Sequence, residues 1–556
     1  MTTFAKARIP FASLSIAVLL LFFLCIYGSY YQGDSVFTSP DETANYFFAT
    51  KVAESGMPLA HDSINVGSPG IVHPRSIKIN ADGDLVPNSF IGLPLYYGMA
   101  ASALGNWALL WLTPMAAIIG ALSFYFICKR LFGFVTAITS LLLLLILPPF
   151  WLYASRGMFH NVLFVSLLLI CLSALMRAFD KSERGRNTFF IIAGLALGMA
   201  FSVRISEVIW VLILLGSIAM VHRRQLTISR IVSFIIPAVL VFTPVLFVNN
   251  ELYGSAFTFS YSMPSLSDTL DTVSRTQDPG ASWLQYFFPF GINLSQSLQM
   301  AYTYLIAYMP WYSLFVIAGM SLIFFNSIRS WVRRTLYSLE TINTVTIPEI
   351  VYTCLFVIIS VWMILYYGAF TFKEYIDPTK VLLGSSYLRY WLPILIMGIP
   401  IAVRGMLWVV SLWATRYQAA VTIFLVFVIV GLSVSLTVAD PLQGLMQLQR
   451  HIETYEQVRS EVLANTPSEA VIIAGGADRF FFPDRRVIAT LPASSSVAAE
   501  ALAQVASQTS LYVYENSLNV DMVRVRELLS RSHLTTEQRA ILPDQMNLTR
   551  VVPIGN

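Results

Sequence analysis

Apolar residues run together in long stretches over most of the chain, interrupted by short polar turns, and the pattern changes only after Asp440. The stretches fall at 11–31, 107–128, 134–152, 158–177, 188–203, 205–221, 229–248, 298–325, 349–369, 388–403 and 417–438. A helix of about 20 apolar residues crosses about 30 Å of hydrocarbon. The pattern predicts a polytopic α-helical membrane protein with about 11 transmembrane helices over residues 1–439. The stretch 188–221 is broken by Arg204 and Glu207 and divides there into two spans meeting near one face. From residue 440 to 556 the texture is that of a small soluble α/β domain. VIIAGGADRF and SLYVYEN read as strands, and VAAEALAQVAS and DMVRVRELLSRSHL as helices.

Charge orients these spans. Lysines and arginines cluster at Lys6/Arg8, Lys129/Arg130, Arg177/Lys181/Arg184/Arg186, Arg223/Arg224/Arg230, Arg329/Arg333/Arg334 and Arg404/Arg416. With the N-terminus inside, every cluster falls on the cytoplasmic side, as the positive-inside rule requires. The same count keeps the apolar segment 88–104 out of the bilayer, as a helix lying in the outer interface. The first run, preceded by Lys6 and Arg8, reads as a retained signal anchor. The non-cytoplasmic face then receives the loop 32–106, the short turn SRGMFHN from Ser155 to Asn161, the loop 249–297, the segment 370–388 and the C-terminal domain.

Composition agrees with this class. Of 556 residues 56% are hydrophobic and 12% charged, whereas soluble domains carry about 25% charged residues. The net charge of +4 gives no footprint for a nucleic-acid partner. All four cysteines lie in apolar runs, which points to neither a disulfide framework nor a thiolate metal site.

Ionisable groups at a membrane edge are costly and mark function. Those predicted outside are Asp41 and Glu42 in SPDETANY, His73 and Arg75 in VHPRS, Arg156, Arg204 with Glu207, Lys373, Glu374, Lys380, and Arg389 beside Tyr390. Such a set attracts an anion, and at a membrane face that anion is a phosphate on a lipid, which arginine holds with paired hydrogen bonds. His73, Arg75, Arg156, Arg204, Arg389 and Tyr390 are therefore the candidate lipid-phosphate-binding residues. Structural roles compete at each position. Ser39, Pro40 and the two acids suit the start of a helix; Arg204 and Glu207 suit an ion pair; Arg389 suits an anchor in an aromatic belt; His73 suits a plain loop position. Asp82-Gly83-Asp84 has the look of an acid pair but is better explained as a turn. No phosphate loop, dinucleotide fingerprint or HExxH motif occurs, so no cofactor is assigned.

Several strings taken in order resemble the GT-C membrane glycosyltransferases, within them the protein O-mannosyltransferase and aminoarabinose-transferase group. These are Asp41-Glu42 followed by Tyr46, Ala53 and Gly56-Met57-Pro58; His73-Pro74 before the interfacial helix; Tyr125 to Gly133; Tyr153-Ala-Ser-Arg156; Leu252-Tyr-Gly254; and Arg389-Tyr390-Trp-Leu-Pro393. The resemblance covers about residues 10–400 and implies a polyprenyl-phosphate sugar donor, transfer at the extracytoplasmic face of a bacterial or archaeal plasma membrane, and inversion at the anomeric carbon. It implies that Asp41 is the general base on an acceptor hydroxyl, carried on a glycan, a lipid or a protein, with Glu42 in support. Arg389, or failing that Arg156, stabilises the departing phosphate. One departure stands out: His160-Asn161 occupy the place where many relatives carry an acid, and no metal is assigned. Two other classes compete with the enzyme, a flippase for a lipid-linked glycan and a non-catalytic protein with the same fold.

Overall fold

The structure is a computed structural model describing residues 2–30, 36–66, 70–180, 185–257, 287–288, 290–337, 346–370, 387–515, 521–542 and 546–554. Lys181, Arg184, Lys373, Glu374 and Lys380 lie outside the described residues.

The membrane region is built from α1 (Thr2–Gly28), α2 (Pro40–Ser55), a two-stranded hairpin of β1 (Ile77–Ile79) and β2 (Leu85–Pro87), α3 (Gly92–Leu104), α4 (Leu109–Phe132), α5 (Phe134–Ile146), α6 (Pro148–Ser155), α7 (His160–Ala178), α8 (Arg186–Val203), α9 (Val208–Val221) and α10 (Ile228–Tyr253). It continues through α11 (Leu294–Ala301), α12 (Pro310–Tyr337), α13 (Ile347–Gly368), α14 (Leu392–Ser411) and α15 (Thr415–Val434). Among the described residues, 8 helical segments are long and apolar enough to cross a membrane, or 9 when α5 and α6 are taken as one span bent by 57°. Two shorter apolar helices, Ser13–Gly28 and Ile205–Val221, accompany them.

Two sequence expectations change. The run 134–152 is not straight, because Pro148 and Pro149 cannot continue α5 and instead open α6. The run 298–325 is not one span: α11 passes into a π-helical turn at Tyr302–Ala307, and Pro310 starts α12 afresh. Proline lacks the N–H and clashes with the preceding turn, so the helix breaks there. The apolar segment 88–104 contains the 13-residue α3, about 20 Å long and too short to cross the hydrocarbon. It packs along α2. The break at Arg204 is as expected, with a 3-10 turn at Ile205–Glu207 between α8 and α9.

Close approach between helices rests on small residues. A Cβ on Gly194 or on Gly198, one turn apart on α8, would overlap the carbonyls of Phe234 and Ala238 on α10. This small-xxx-small stripe is the standard means of bringing helix backbones together in lipid.

The C-terminal region opens with α16 (Leu445–Asn465) and continues through β3 (Val471–Ile473), α17 (Asp478–Phe481), β4 (Arg486–Ile488), α18 (Ser495–Gln508), β5 (Leu511–Glu515), α19 (Met522–Arg531), β6 (Leu534–Ile541) and β7 (Asn547–Pro553). The strands form one sheet in the order β4-β3-β5-β7-β6, parallel from β4 to β5 and antiparallel beyond. The two expected helices and the SLYVYEN strand are present, but VIIAGGADRF is a strand only over Val471–Ile473, its remainder turning through Gly475–Ala477 into α17, and β4, β6 and β7 are additional strands.

The two regions share their cores. Ala44, Phe48, Ile77 and Leu85 of the first loop pack with Val458, Ile472, Phe481 and Tyr514. Ile64, Ile71 and Val72 pack with Val471, Ile473 and Val513. The Phe47 and Phe482 rings lie 4.7 Å apart. The sheet domain is thus seated on the loop that carries Asp41.

Candidate active site

The first turn of α2 forms as its sequence dictates. The Ser39 hydroxyl accepts from the Asp41 amide at 3.3 Å, Pro40 holds the first helical position, and both acids sit at the positive end of the helix dipole. Adjacent helical residues point about 100° apart, and the two carboxylates meet different partners.

Glu42 is fully buried. Both its oxygens are taken by Arg156, whose Nε donates at 3.2 Å and whose Nη2 also donates to the Thr38 hydroxyl at 3.0 Å. Asp41 keeps 32% of its side chain exposed. Its Oδ2 accepts from Arg389 Nη2 at 2.6 Å and its Oδ1 from the Ser76 hydroxyl at 2.6 Å. Burial by itself would raise the Asp41 carboxyl pKa, but the Arg389 guanidinium and then the Ser76 hydroxyl outweigh it and hold the group below its ordinary value.

Arg389 opens the span of α14 in a 3-10 turn, Leu388–Trp391. Its backbone carbonyl accepts from Asn161 Nδ2 at 3.2 Å. Its guanidinium lies 4.5 Å from the Phe159 ring, which Arg156 approaches at 4.7 Å, and 5.3 Å from the Tyr390 ring. Arg389 is nine-tenths buried, yet its Nε has no hydrogen-bond partner among the described residues. A buried guanidinium with an unspent donor is poised for an anion.

Arg204 is a neighbour with different duties. It donates to Glu207 at 2.8 and 3.1 Å and to the Tyr367 hydroxyl at 3.1 Å, while Trp210 donates to the other Glu207 oxygen at 2.6 Å. Its guanidinium stands 5.0 Å from Tyr390, which stacks on Tyr367 at 5.1 Å. Tyr390 is therefore held between Arg204 and Arg389. His160, at the start of α7, donates from Nε2 to the Phe90 carbonyl at 2.8 Å, which leaves Nδ1 as an acceptor facing the Asn45 amide at 3.5 Å. Asn45 also donates to the Met158 carbonyl at 2.8 Å.

Of the residues singled out in the sequence, Asp41, Glu42, Arg156, Arg204, Arg389 and Tyr390 gather at one end of the bundle. His73 and Arg75 do not join them. His73 bonds through Nδ1 to the Pro74 carbonyl at 2.9 Å, and burial holds its imidazole below the usual histidine pKa. Arg75 turns to the C-terminal domain, where it pairs with Asp478 at 2.7 Å. Ser76, Asn161 and Phe159 are contributors that sequence reasoning missed as site residues. The Asp82-Gly83-Asp84 stretch is a turn, with Asn80 Oδ1 accepting from the Asp82 and Asp84 amides at 3.0 and 2.9 Å. Each acid of the site is committed to an arginine, and among the described residues no three His, Cys, Asp or Glu side chains come together to hold a metal.

The opposite end of the bundle is basic. Lys129 and Arg130 close α4, Arg177 lies in the last turn of α7, and Arg130 pairs with Asp180 at 2.8 Å.

Residues 98–247 match the family described as dolichyl-phosphate-mannose-protein mannosyltransferase. No curated protein sequence matches the chain. Among solved structures, the apo form of ArnT from Cupriavidus metallidurans aligns at 10% identity with a TM-score of 0.51, over 98% of this chain and 98% of that one. The same enzyme bound to undecaprenyl phosphate aligns at 10% identity with a TM-score of 0.49, covering 97% of each chain. The Archaeoglobus fulgidus oligosaccharyltransferase, solved with zinc and sulfate, aligns at 10% identity and a TM-score of 0.51, over 90% of this chain and 68% of that one. The chain thus shares its fold with apo ArnT and with the archaeal oligosaccharyltransferase, and over residues 98–247 it resembles the mannosyltransferase family.

Proposed function

We propose that the protein is an inverting glycosyltransferase that moves a sugar from a polyprenyl-phosphate donor to an acceptor hydroxyl at the extracytoplasmic membrane face. The observation that carries this reading is the Asp41–Arg389 pair, a part-exposed carboxylate against a buried guanidinium with an unspent donor. The family matched over residues 98–247 is described by a donor of this class. The basic ends of α4 and α7, opposite the site, support its placement outside.

In the transfer step the acceptor oxygen bonds to the anomeric carbon as the bond from that carbon to the phosphate oxygen breaks. The bonding pair leaves with the phosphate. The acceptor proton passes to Asp41, and attack from the face opposite the leaving group inverts the centre. Arg389 meets the charge that grows on the departing phosphate. Glu42 cannot serve as base, because both its oxygens are taken and it is closed to solvent. Its part is to hold Arg156 and, through it, the floor of the site.

The test uses membranes containing the full chain, supplied with polyprenyl phosphates carrying a panel of hexoses and pentoses. Release of polyprenyl phosphate by the wild type, and its loss in Asp41→Asn, is the expected result. Release no greater than in membranes lacking the protein, for every donor, would overturn the reading. Movement of a lipid-linked sugar across vesicles without acceptor would replace it with a flippase.

A further inference from the structure

The C-terminal sheet places β3 between β4 and β5, both parallel to it. In open parallel sheets of this order, ligands bind beyond the carboxyl ends of the strands, where successive connections diverge. Here that place is taken by the chain's own first loop. Ile71 and Val72 pack against Ile473, Ile488 and Val513. The Ala489 amide, just past β4, donates to the His73 carbonyl at 3.3 Å.

Arg75 completes the plug. Its backbone amide donates to Asp478 Oδ2 at 2.6 Å, its Nε to both Asp478 oxygens at 3.1 and 3.2 Å, and its Nη2 to Asp478 Oδ1 at 2.7 Å and the Gly476 carbonyl at 2.6 Å. The Asp478 side chain is fully buried. A carboxylate held this way, by main chain and guanidinium together, fixes both the position and the direction of the residue it binds.

The next residue is Ser76, with φ of 62°. A side-chain-bearing residue in the left-handed region is strained and persists only where its surroundings over-determine it. Ser76 is pinned on one side by the Arg75 clamp and on the other by β1. In that conformation its hydroxyl reaches Asp41 at 2.6 Å.

We infer that Asp478 is a positioning residue for the transfer reaction: through Arg75 it sets Ser76, and through Ser76 it orients the Asp41 carboxylate. The C-terminal domain is then a structural part of the active site, and its crevice serves as a socket for the first loop. This rests on the reading of Asp41 as the base.

The titratable and charged groups facing Asp41 are Arg389, from the turn before α14, and His160, from α7. Asp478 faces Arg75 and His73, and the neighbouring Arg479 also donates to the Gly476 carbonyl at 3.0 Å. When the Ser76 hydroxyl is lost or misplaced, the Asp41 carboxyl gives up one of the two bonds that favour its charged form. Its pKa rises, and the acid limb of the rate profile moves to higher pH.

The experiment compares transfer by wild type, Ser76→Ala, Asp478→Asn, Arg75→Lys, the Ser76→Ala/Asp478→Asn double variant and Asp62→Asn, each over a range of pH, with detergent melting as a check on folding. Asp62→Asn weakens a different contact between loop and domain, the 3.0 Å bond to Arg486, and serves as control. Asp478→Asn and Ser76→Ala should lower kcat by about ten- to hundredfold, as small misplacements of a catalytic group do, with little change in donor KM. Both should move the acid limb upward, and the double variant should be no worse than the poorer single one. Asp62→Asn should leave the limb in place. Should Asp478→Asn fail to fold, Arg75→Lys carries the test, since it keeps the charge and loses the fork. An unmoved limb in the folded Asp478 or Arg75 variant, or an equal shift in Asp62→Asn, overturns the inference. A wild type without transfer would instead sink the glycosyltransferase reading.

Discussion

Asp41→Asn separates a catalytic base from a structural carboxylate, because the two roles predict opposite effects on lipid-phosphate binding. In the structure Asp41 occupies Arg389 at 2.6 Å. A donor phosphate bound to the same guanidinium would come within about 5 Å of the carboxylate, where two unit charges repel by about 3 kcal/mol at an effective dielectric constant of about 20 and by about 0.8 kcal/mol in water. Asp41 is 32% exposed, which favours the lower part of that range. Removing its charge should therefore tighten undecaprenyl phosphate binding by about 1–2 kcal/mol, or about five- to thirtyfold. Transfer should meanwhile fall by about a hundredfold or more, the usual worth of a positioned base. Quenching of tryptophan fluorescence on titrating the lipid into purified protein reads the first effect, with undecaprenol as the uncharged control. Affinity in Asp41→Asn equal to or below that of wild type would refute the competition for Arg389. Transfer within about tenfold of wild type would refute the base.

Other outcomes follow from the same geometry. Glu42→Gln leaves the buried Arg156 without its counter-ion and should cost about 3–5 kcal/mol of stability, read as a large fall in melting temperature; an unchanged melt would mean that the pair is dispensable. Gly194→Val forces a branched side chain into the Phe234 carbonyl on α10 and should cost about 1–3 kcal/mol, visible as loss of a monodisperse peak in detergent. In the free protein Arg389 and Ser76 outweigh burial and hold the Asp41 carboxyl below its usual pKa. Donor phosphate withdraws the first of these and adds repulsion, so the acid limb of kcat should lie at higher pH than that of kcat/KM. Coincident limbs would indicate that the donor leaves Arg389 on Asp41.

Much of this was legible in the chain because membrane burial writes itself as long apolar runs and as the placement of arginines. The helix start at Ser39-Pro40, the break at Arg204 and the aromatic neighbourhood of Arg389 all follow from local chemistry. What the sequence hid were choices between neighbours. VHPRS pointed to His73 and Arg75, yet the residue of that string touching Asp41 is Ser76. A serine carries no charge to draw attention, and its role depends on a left-handed backbone that only the docked C-terminal domain explains. His160-Asn161 looked like a missing acid. In the fold they act through an imidazole on the Phe90 carbonyl and an amide on the Arg389 backbone.

Asp41 and Glu42 are the sharpest case, being chemically alike and adjacent, with an arginine each. Their guanidiniums even share the Phe159 ring, at 4.5 and 4.7 Å. The difference lies in what each bond leaves available. Glu42 binds Arg156 through both oxygens in a closed setting, so neither partner can change hands without exposing a buried charge, at a cost of several kcal/mol. Asp41 binds Arg389 through one oxygen, keeps a face to solvent, and meets a guanidinium whose Nε is unspent. On the proposed mechanism, only the second pair can open for a phosphate and close again once per turnover. On that mechanism one turn of helix supplies a fixed anchor and a reactive group from two successive acids, and the proposed assignment follows from reversibility, not from charge.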